Sequence, residues 1–178
     1  MPTNTNVLII RHGEKPSDAH DPTLAVPGQE RAQAYVVYFQ NFSINATIIK
    51  LGYLFAAADS SESHRPRLTL EPLATALGLT IDHKHKDTAY GKVADDILQN
   101  SKYDNANVLI CWHHGEILQL AEALGAAASS LPSKWPGDVY GWLLQLTWDS
   151  AGTLAVAPAI NEQLMYDDYG KTPPPIGT

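Results

Sequence analysis

Two segments of the chain repeat almost the same pattern, an apolar tetrapeptide that leads into a histidine, a glycine and a glutamate. Residues 7–10 read VLII and are followed by RHGE, whereas residues 108–111 read VLIC and are followed by WHHGE. Short, fully apolar runs are typical of strands that are buried on both faces of a parallel sheet. Ligands of such sheets bind beyond the carboxyl ends of the strands. The pattern therefore predicts that polar residues from distant parts of the chain meet at one edge of a sheet.

Helical and strand-like segments alternate along the chain. The predicted helices cover residues 28–42, 66–77, 90–99 and 116–124. The predicted strands cover residues 7–10, 53–57, 79–82, 108–112, 141–148 and 153–157, and the last two form an antiparallel hairpin. Proline at the start of a helix and glycine after its end support these bounds. The alternation predicts one α/β domain over residues 1–178, a three-layer α/β/α sandwich with a mostly parallel sheet and an irregular tail from about residue 167.

Charge and cysteine content narrow the functional class. The 178-residue chain has a net charge of −7 and no run of lysine and arginine, which argues against nucleic-acid binding. Its longest apolar runs are far too short to span a membrane. The single cysteine, Cys111, cannot form an internal disulfide, and no signal-peptide pattern opens the chain. We therefore expect a cytoplasmic protein.

Arginine is scarce and lies mainly after predicted strands. Of four arginines, Arg11 follows the first strand, and Arg65 and Arg67 begin the helix after the second. A guanidinium group binds two phosphate oxygens at once. An acidic chain that concentrates its arginines at one edge of a sheet is predicted to hold a small anion there.

These residues resemble the motifs of the histidine phosphatase superfamily, which shares its fold with phosphoglycerate mutase. The RHG triplet at residues 11–13 matches the opening motif of that superfamily. Residues 61–69 match its Ser-Pro-x-x-Arg-Ala-x-x-Thr motif in the serine, arginine and threonine, although the proline and alanine are replaced. His114-Gly115, after the later apolar strand, matches the last motif. The resemblance spans roughly residues 7–125.

The resemblance implies a metal-independent phosphatase that hydrolyses a phosphate monoester or phosphohistidine and needs no cofactor. It implies that His12 attacks phosphorus and that water later hydrolyses the phosphohistidine. Arg11, Arg65 and a second histidine are expected to neutralise the equatorial oxygens, and Glu14 is a further candidate for substrate binding. The expected partner is a small phosphorylated substrate or a phosphoprotein. The sequence leaves the oligomeric state open.

Two adjacent histidines compete for the second role. Aligning the two apolar strands from their first residues puts His113 opposite His12, whereas aligning the shared His-Gly-Glu puts His114 there. Neighbouring residues of a strand point to opposite faces, so we expect one of them to enter the pocket. We favour His114 because the glycine that follows permits a tight turn close to a ligand.

The proton donor for the leaving group stays open among Glu14, Glu116 and Asp87. Arg67 is expected to be an exposed charge rather than a second phosphate ligand. Residues 83–86 (HKHK) either border the pocket or form a solvated loop.

Three alternatives remain. A phosphoglycerate-type mutase usually needs a covering insertion, and the short stretch at residues 79–107 argues against one. A phosphoryl-binding module without turnover is suggested by the altered motif at residues 61–69. A metal site built from His12, His64, His113 and His114 is disfavoured, because adjacent histidines on one strand cannot easily bind the same ion.

Overall fold

Strands and helices alternate along residues 1–175, the part of the chain described by the structure, which is a computed structural model. The helices are α1 (Val26–Gln40), α2 (Arg65–Leu77), α3 (Tyr90–Gln99) and α4 (Ile117–Ala123). The strands are β1 (Thr5–Arg11), β2 (Ser43–Ile44), β3 (Thr47–Ile48), β4 (Tyr53–Ala56), β5 (Ile81–Asp82), β6 (Asn107–Trp112), β7 (Trp142–Trp148), β8 (Leu154–Val156) and β9 (Ile160–Asn161).

The central sheet is parallel over four strands and antiparallel at one edge. Its order is β5-β4-β6-β1-β7-β8, and β9 also pairs with β7. β1 runs parallel to β6, from Asn6 opposite Asn107 to Arg11 opposite Trp112. β7 runs antiparallel to β1. The predicted, mostly parallel sheet with a late hairpin is confirmed.

The side chains of β1 enter the core on both faces of the sheet, as its continuous apolar sequence predicts. Val7 and Ile9 belong to the core cluster that includes residues of α3 and α4. Leu8 and Ile10 belong to the cluster that includes residues of α1 and α2. All four side chains are fully buried, and each such burial contributes about 1.5–3 kcal/mol. Helices therefore cover both faces, which confirms the three-layer α/β/α sandwich.

The predicted helices are confirmed, with small differences at their ends. α1 begins at Val26, two residues earlier than expected, with a proline in its first turn. α2 begins at Arg65 and ends before Gly78, whose φ of 67° makes it a left-handed C-cap, the conformation that favours glycine. Helix α3 has the predicted bounds.

Several short elements were not predicted from the sequence, among them the strands β2, β3 and β9 and a 3₁₀ turn in the tail. The strands β2 and β3 form a separate hairpin, whose turn residues Asn45 and Ala46 both have positive φ. A strand of two residues is too short to show an alternating pattern of apolar and polar residues in the sequence. The tail contains a 3₁₀ turn at Tyr166–Asp168 and then no helix or strand through residue 175, while residues 176–178 of the expected tail lie outside the described residues.

None of the helices within residues 1–175 combines the length and apolar character needed to cross a lipid bilayer.

Candidate active site

The carboxyl ends of β1, β4 and β6 meet at the same edge of the sheet. His12 follows β1 and His113 follows β6, in the register that pairs Arg11 with Trp112. Arg65 begins the helix that follows β4, and its charge is close enough to lower the pKa of His12. The structure therefore brings Arg11, His12 and Arg65 together, as the sequence predicts.

His12 is fully buried and its ring is fixed from one side. Its Nδ1 lies 2.7 Å from the carbonyl oxygen of Gly13, so Nδ1 carries the proton and Nε2 does not. The Nε2 atom is buried and forms no hydrogen bond within residues 1–175. Burial, followed by the charges of His113 and Arg11, lowers the pKa of His12 well below its usual value. The ring is neutral at pH 7 with a free lone pair, the state that a nucleophile requires.

Arg11 is held by backbone carbonyl groups. Its Nη1 donates hydrogen bonds of 2.8 Å to the carbonyl oxygens of Gly137 and Val139. Its Nε and Nη2 atoms are buried and have no partner within the described residues. Burial lowers the pKa of Arg11 to about 10, so the side chain is still charged at neutral pH. Arg11 is therefore a fixed cation with unused donors.

Arg65 is anchored in the same way. Its Nη1 donates to the carbonyl oxygen of Asp21 at 2.9 Å, and its Nη2 donates to that of Glu62 at 3.0 Å. Its Nε is buried and unpaired within residues 1–175. Since carbonyl groups orient a guanidinium without neutralising it, the charge of Arg65 is available to an anion.

Both candidate histidines border the site. β6 ends at Trp112, before either of them, so the alternation that led us to expect only one in the pocket does not apply. The rings of His12 and His113 meet edge to face, with centroids 5.0 Å apart. His114, which the sequence favoured, lies by the loop before β7, where its Nε2 is 3.7 Å from the position of a Cβ built on Gly137. Burial lowers the pKa of both histidines to about 4.

Unpaired buried polar atoms concentrate at this edge of the sheet. Within residues 1–175, seven buried side-chain nitrogen or oxygen atoms lack a hydrogen-bond partner, and five of them are nitrogens of Arg11, His12, Arg65 and His114. Native proteins leave few such atoms unpaired, because each costs about 1–3 kcal/mol. Three of these nitrogens belong to the guanidinium groups of Arg11 and Arg65 and are donors, so an oxyanion, which offers several acceptor oxygens, matches them. The unprotonated Nε2 of His12 lies among the same group with its lone pair free.

Solved structures share this architecture over almost the whole chain. The protein histidine phosphatase SixA, complexed with tungstate, aligns with a TM-score of 0.58 and 15% identity over 88% of this chain and 97% of that chain. A mycobacterial glucosyl-3-phosphoglycerate phosphatase complexed with VO3 aligns with a TM-score of 0.58 and 13% identity over 86% and 98%. Phosphoglycerate mutase from Plasmodium falciparum aligns with a TM-score of 0.55 and 14% identity over 87% and 89%.

The chain has the histidine phosphatase fold. The sequence matches no protein-family model and none of the curated proteins, so the likeness is one of structure. In this sheet β1 lies between β6 and β7. Arg11, the last residue of β1, and His12, which follows it, therefore lie at the centre of this edge of the sheet.

The carboxylate of Glu14 binds a buried arginine. Arg31, on α1, donates from Nη2 to the Glu14 carboxylate at 2.6 Å. It also donates to both carboxylate oxygens of Asp168, at 2.9 and 2.8 Å. The sequence suggested Glu14 as a substrate contact, and the structure shows that its carboxylate is used by Arg31. This pairing could not be predicted from the sequence, because Asp168 lies 137 residues from Arg31 and no local pattern links them.

The loop that carries His12 lies against the first turn of α1. A Cβ on Gly13 would lie 2.8 Å from the carbonyl oxygen of Gly28, and one on Gly28 would lie 2.7 Å from the backbone nitrogen of Glu14. Only glycine fits at either position without a shift of the backbone. This contact explains why a glycine directly follows His12.

Two candidate proton donors lie on the side of His113. The charge of Asp87 raises the pKa of His113 against the larger, lowering effect of burial. Burial and, to a lesser degree, Asp87 raise the pKa of Glu116. A carboxyl group that keeps its proton to higher pH is suited to act as a general acid. The third candidate, Glu14, is occupied by Arg31.

Arg67 forms ion pairs with two carboxylates, as expected of an exposed charge. It donates to Asp59 at 2.8 Å and also to Glu71, on a partly exposed face of α2.

In the basic segment at residues 83–86, Lys84 pairs with Asp82 at 2.7 Å. Within residues 1–175, no three histidine, cysteine, aspartate or glutamate side chains are grouped so that they could bind one metal ion.

Proposed function

We propose that this protein is a metal-independent phosphatase that hydrolyses a phosphate monoester or phosphohistidine through a phosphohistidine on His12. The observation that carries the proposal is the neutral imidazole of His12, whose buried Nε2 is unpaired, together with four further buried, unpaired nitrogens of Arg11, Arg65 and His114. Two solved structures of the same fold support it, since SixA is complexed with tungstate and the mycobacterial phosphatase with VO3. Both ligands are oxyanions, like phosphate.

In the first step, the Nε2 lone pair of His12 attacks phosphorus and the bond to the leaving oxygen breaks. The hydrogen bond from Nδ1 to the Gly13 carbonyl keeps the single N–H proton of the ring on Nδ1, which leaves Nε2 free to attack. Charge stays on the three equatorial oxygens throughout, so fixed cations are the main requirement of catalysis. Arg11 and Arg65 supply them. In the second step, water attacks the phosphohistidine, releases phosphate and restores His12.

We propose that the second histidine role is shared between neighbours. The support for His113 is its contact with the His12 ring. The support for His114 is its unpaired Nδ1 and the effect of the Arg11 charge on its pKa. A neutral imidazole donates one N–H, and each histidine would donate it to a phosphoryl oxygen.

The leaving oxygen needs a proton, and we propose that the Asp87–Glu116 pair supplies it. The raised pKa of Glu116 supports this assignment. The position of Asp87 supports it too, because the Asp87 carbonyl accepts a 3.1 Å hydrogen bond from Trp112 at the end of β6. That bond holds the turn that carries Asp87 close to His113.

Hydrolysis is favoured over phosphoryl retention by the connection between α2 and β6. It contains only β5, α3 and two 3₁₀ turns, so this connection is too short to cover a retained phosphoryl group.

The proposed substrate is a small phosphorylated molecule or a phosphoprotein. We also propose a single domain over residues 1–178, supported by a central sheet that contains all the described strands except β2 and β3. A cytoplasmic location is proposed as well, supported by the buried free thiol of Cys111.

The test is phosphate release from p-nitrophenyl phosphate, 3-phosphoglycerate and a phosphohistidine peptide. We expect release from at least one of them, and its loss in His12→Ala but not in the matched control His20→Ala, since His20 is exposed. Isomerised phosphoglycerate without phosphate release would favour a mutase instead. Phosphate binding without turnover on any substrate would favour a binding module.

A further inference from the structure

Tyr140 lies against two of the residues that form the proposed phosphoryl site. The Cζ atom of Arg11 is 3.8 Å from the centroid of the Tyr140 ring. The ring of His12 meets the same ring edge to face, with centroids 6.1 Å apart. Both contacts are made by the ring of Tyr140. A half-buried aromatic ring therefore packs against the proposed nucleophile and the cation beside it.

The loop that contains Tyr140 also fixes the edge of the Arg11 guanidinium. Val139, directly before Tyr140, accepts a hydrogen bond from Arg11 Nη1. The same carbonyl oxygen accepts one of 2.9 Å from the indole of Trp135, which ties the loop to the core. The carbonyl groups fix one edge of the guanidinium while Tyr140 covers its face, so the remaining donors have one orientation.

An aromatic ring suits this position better than a carboxylate would. None of the carboxylates in residues 1–175 forms an ion pair with Arg11. A carboxylate would neutralise the charge that a bound oxyanion must meet, and it would repel that oxyanion. The face of an aromatic ring attracts a cation through its quadrupole and leaves the net charge of the site unchanged.

We propose that Tyr140 is a positioning residue, whose ring holds the Arg11 guanidinium so that Nε and Nη2 bind the phosphoryl oxygens. This proposal rests on the proposed function, because it assigns Arg11 the role of phosphoryl ligand. The ring, rather than the phenolic hydroxyl, performs the role. Tyr140 acts through Arg11 and takes no part in bond making or breaking.

The experiment compares Tyr140→Phe, which keeps the ring, with Tyr140→Leu, which removes it. The readouts are the affinity for orthovanadate, measured by calorimetry, and kcat and KM for p-nitrophenyl phosphate. We expect Tyr140→Phe to stay within about twofold of the wild type. We expect Tyr140→Leu to lose about tenfold in vanadate affinity, between the values for an exposed and a fully desolvated cation–π contact, because Tyr140 is half-buried. Tyr166→Leu is the control, since Tyr166 is 90% exposed.

A double-variant cycle separates positioning from general structural damage. If Tyr140 acts through Arg11, Tyr140→Leu weakens vanadate binding in the wild type but has little further effect in Arg11→Met. Equal losses in both backgrounds would overturn the proposal. Should Tyr140→Leu not fold, Tyr140→Trp serves in its place and is expected to bind vanadate like the wild type, whereas a tenfold loss in that variant would also overturn the proposal.

Two further outcomes distinguish this proposal from the proposed function. A loss in Tyr140→Phe as large as that in Tyr140→Leu would overturn the ring assignment in favour of the hydroxyl. Wild-type protein that binds vanadate but hydrolyses nothing would refute the phosphatase proposal, yet the vanadate affinities of the Tyr140 variants would still test the positioning of Arg11.

Discussion

The backbone N–H of Gly13 donates a 2.9 Å hydrogen bond to the hydroxyl group of Thr69. That hydroxyl group in turn donates to the carbonyl oxygen of Arg65 at 2.7 Å. Gly13 follows His12, and Arg65 begins α2, so one buried side chain joins the loop of the proposed nucleophile to the helix of a proposed phosphoryl ligand. The two contacts fix His12 and Arg65 relative to each other.

Thr69→Val is expected to lower both stability and activity. It replaces the hydroxyl group with a methyl group of similar size and leaves the buried N–H of Gly13 unpaired, at a cost of about 1–3 kcal/mol. Urea unfolding gives the stability and phosphate release gives kcat/KM. The control is Thr75→Val, at an exposed position of the same helix. Equal effects of the two variants would show that the Thr69 link does not matter.

Arg31→Met is expected to destabilise the protein far more than Arg67→Met. Each arginine pairs with two carboxylates, but the side chain of Arg31 is fully buried and that of Arg67 is 22% exposed. Removing Arg31 leaves Glu14 and Asp168 without their cation, a change that costs about 3–5 kcal/mol in buried pairs. Exposed pairs contribute about 0.2–1 kcal/mol. Urea unfolding of both variants checks this, and similar losses would contradict the buried network.

Stability is expected to fall as pH rises from about 7 to 8. In this range His12, His113 and His114 are largely neutral in the folded and unfolded states alike, and Glu162 is the group that titrates. Burial raises the pKa of Glu162 to about 8, whereas an unfolded glutamate titrates near 4.3. Between these values the native state keeps a proton that the unfolded state has lost. Raising the pH therefore favours unfolding, by at most about 1.4 kcal/mol per pH unit.

Glu162→Gln removes this titration, so its free energy of unfolding should depend less on pH over the same range. Glu122→Gln, at an exposed position of α4, should keep the wild-type pH dependence. The measurement is urea unfolding at several pH values. If the wild type and Glu162→Gln showed parallel pH profiles, Glu162 would not be the group responsible.

Loss of the proposed proton donor should matter most for substrates with poor leaving groups. An alkyl phosphate needs its leaving oxygen protonated, whereas p-nitrophenolate leaves readily without a proton. We expect Glu116→Gln or Asp87→Asn to slow hydrolysis of glycerol phosphate by about 10²-fold or more and that of p-nitrophenyl phosphate far less. Equal slowing of both substrates by both variants would exclude the pair as the general acid.

The strands and the position of the candidate site were predictable because the sequence patterns that indicate them are local. The apolar runs at residues 7–10 and 108–111 are long enough to specify buried parallel strands, and the arginine and histidine residues follow them directly. The bounds of α2 were predictable because Pro66 and Gly78 lie at its two ends. In each case the residues that determine the local structure are neighbours in the sequence.

Other features depend on contacts between distant residues. Glu14 binds Arg31, which also binds Asp168 in the tail. No sequence spacing relates these two partners to the loop after β1. Which histidine contacts His12 depends on β6 ending at Trp112. If the strand ended one residue earlier or later, a different side chain would meet the His12 ring. The stacking of Tyr140 on Arg11 likewise leaves no trace in local sequence.

The most direct test of the central claim is to trap the intermediate. The protein is mixed with a labelled substrate that it hydrolyses, quenched in alkali within one turnover and digested for mass spectrometry. We expect one phosphoryl group, stable in base and labile in acid, on the peptide that contains His12, and none in His12→Ala. Turnover with no adduct at His12, or with the phosphoryl group on another residue, would contradict the account.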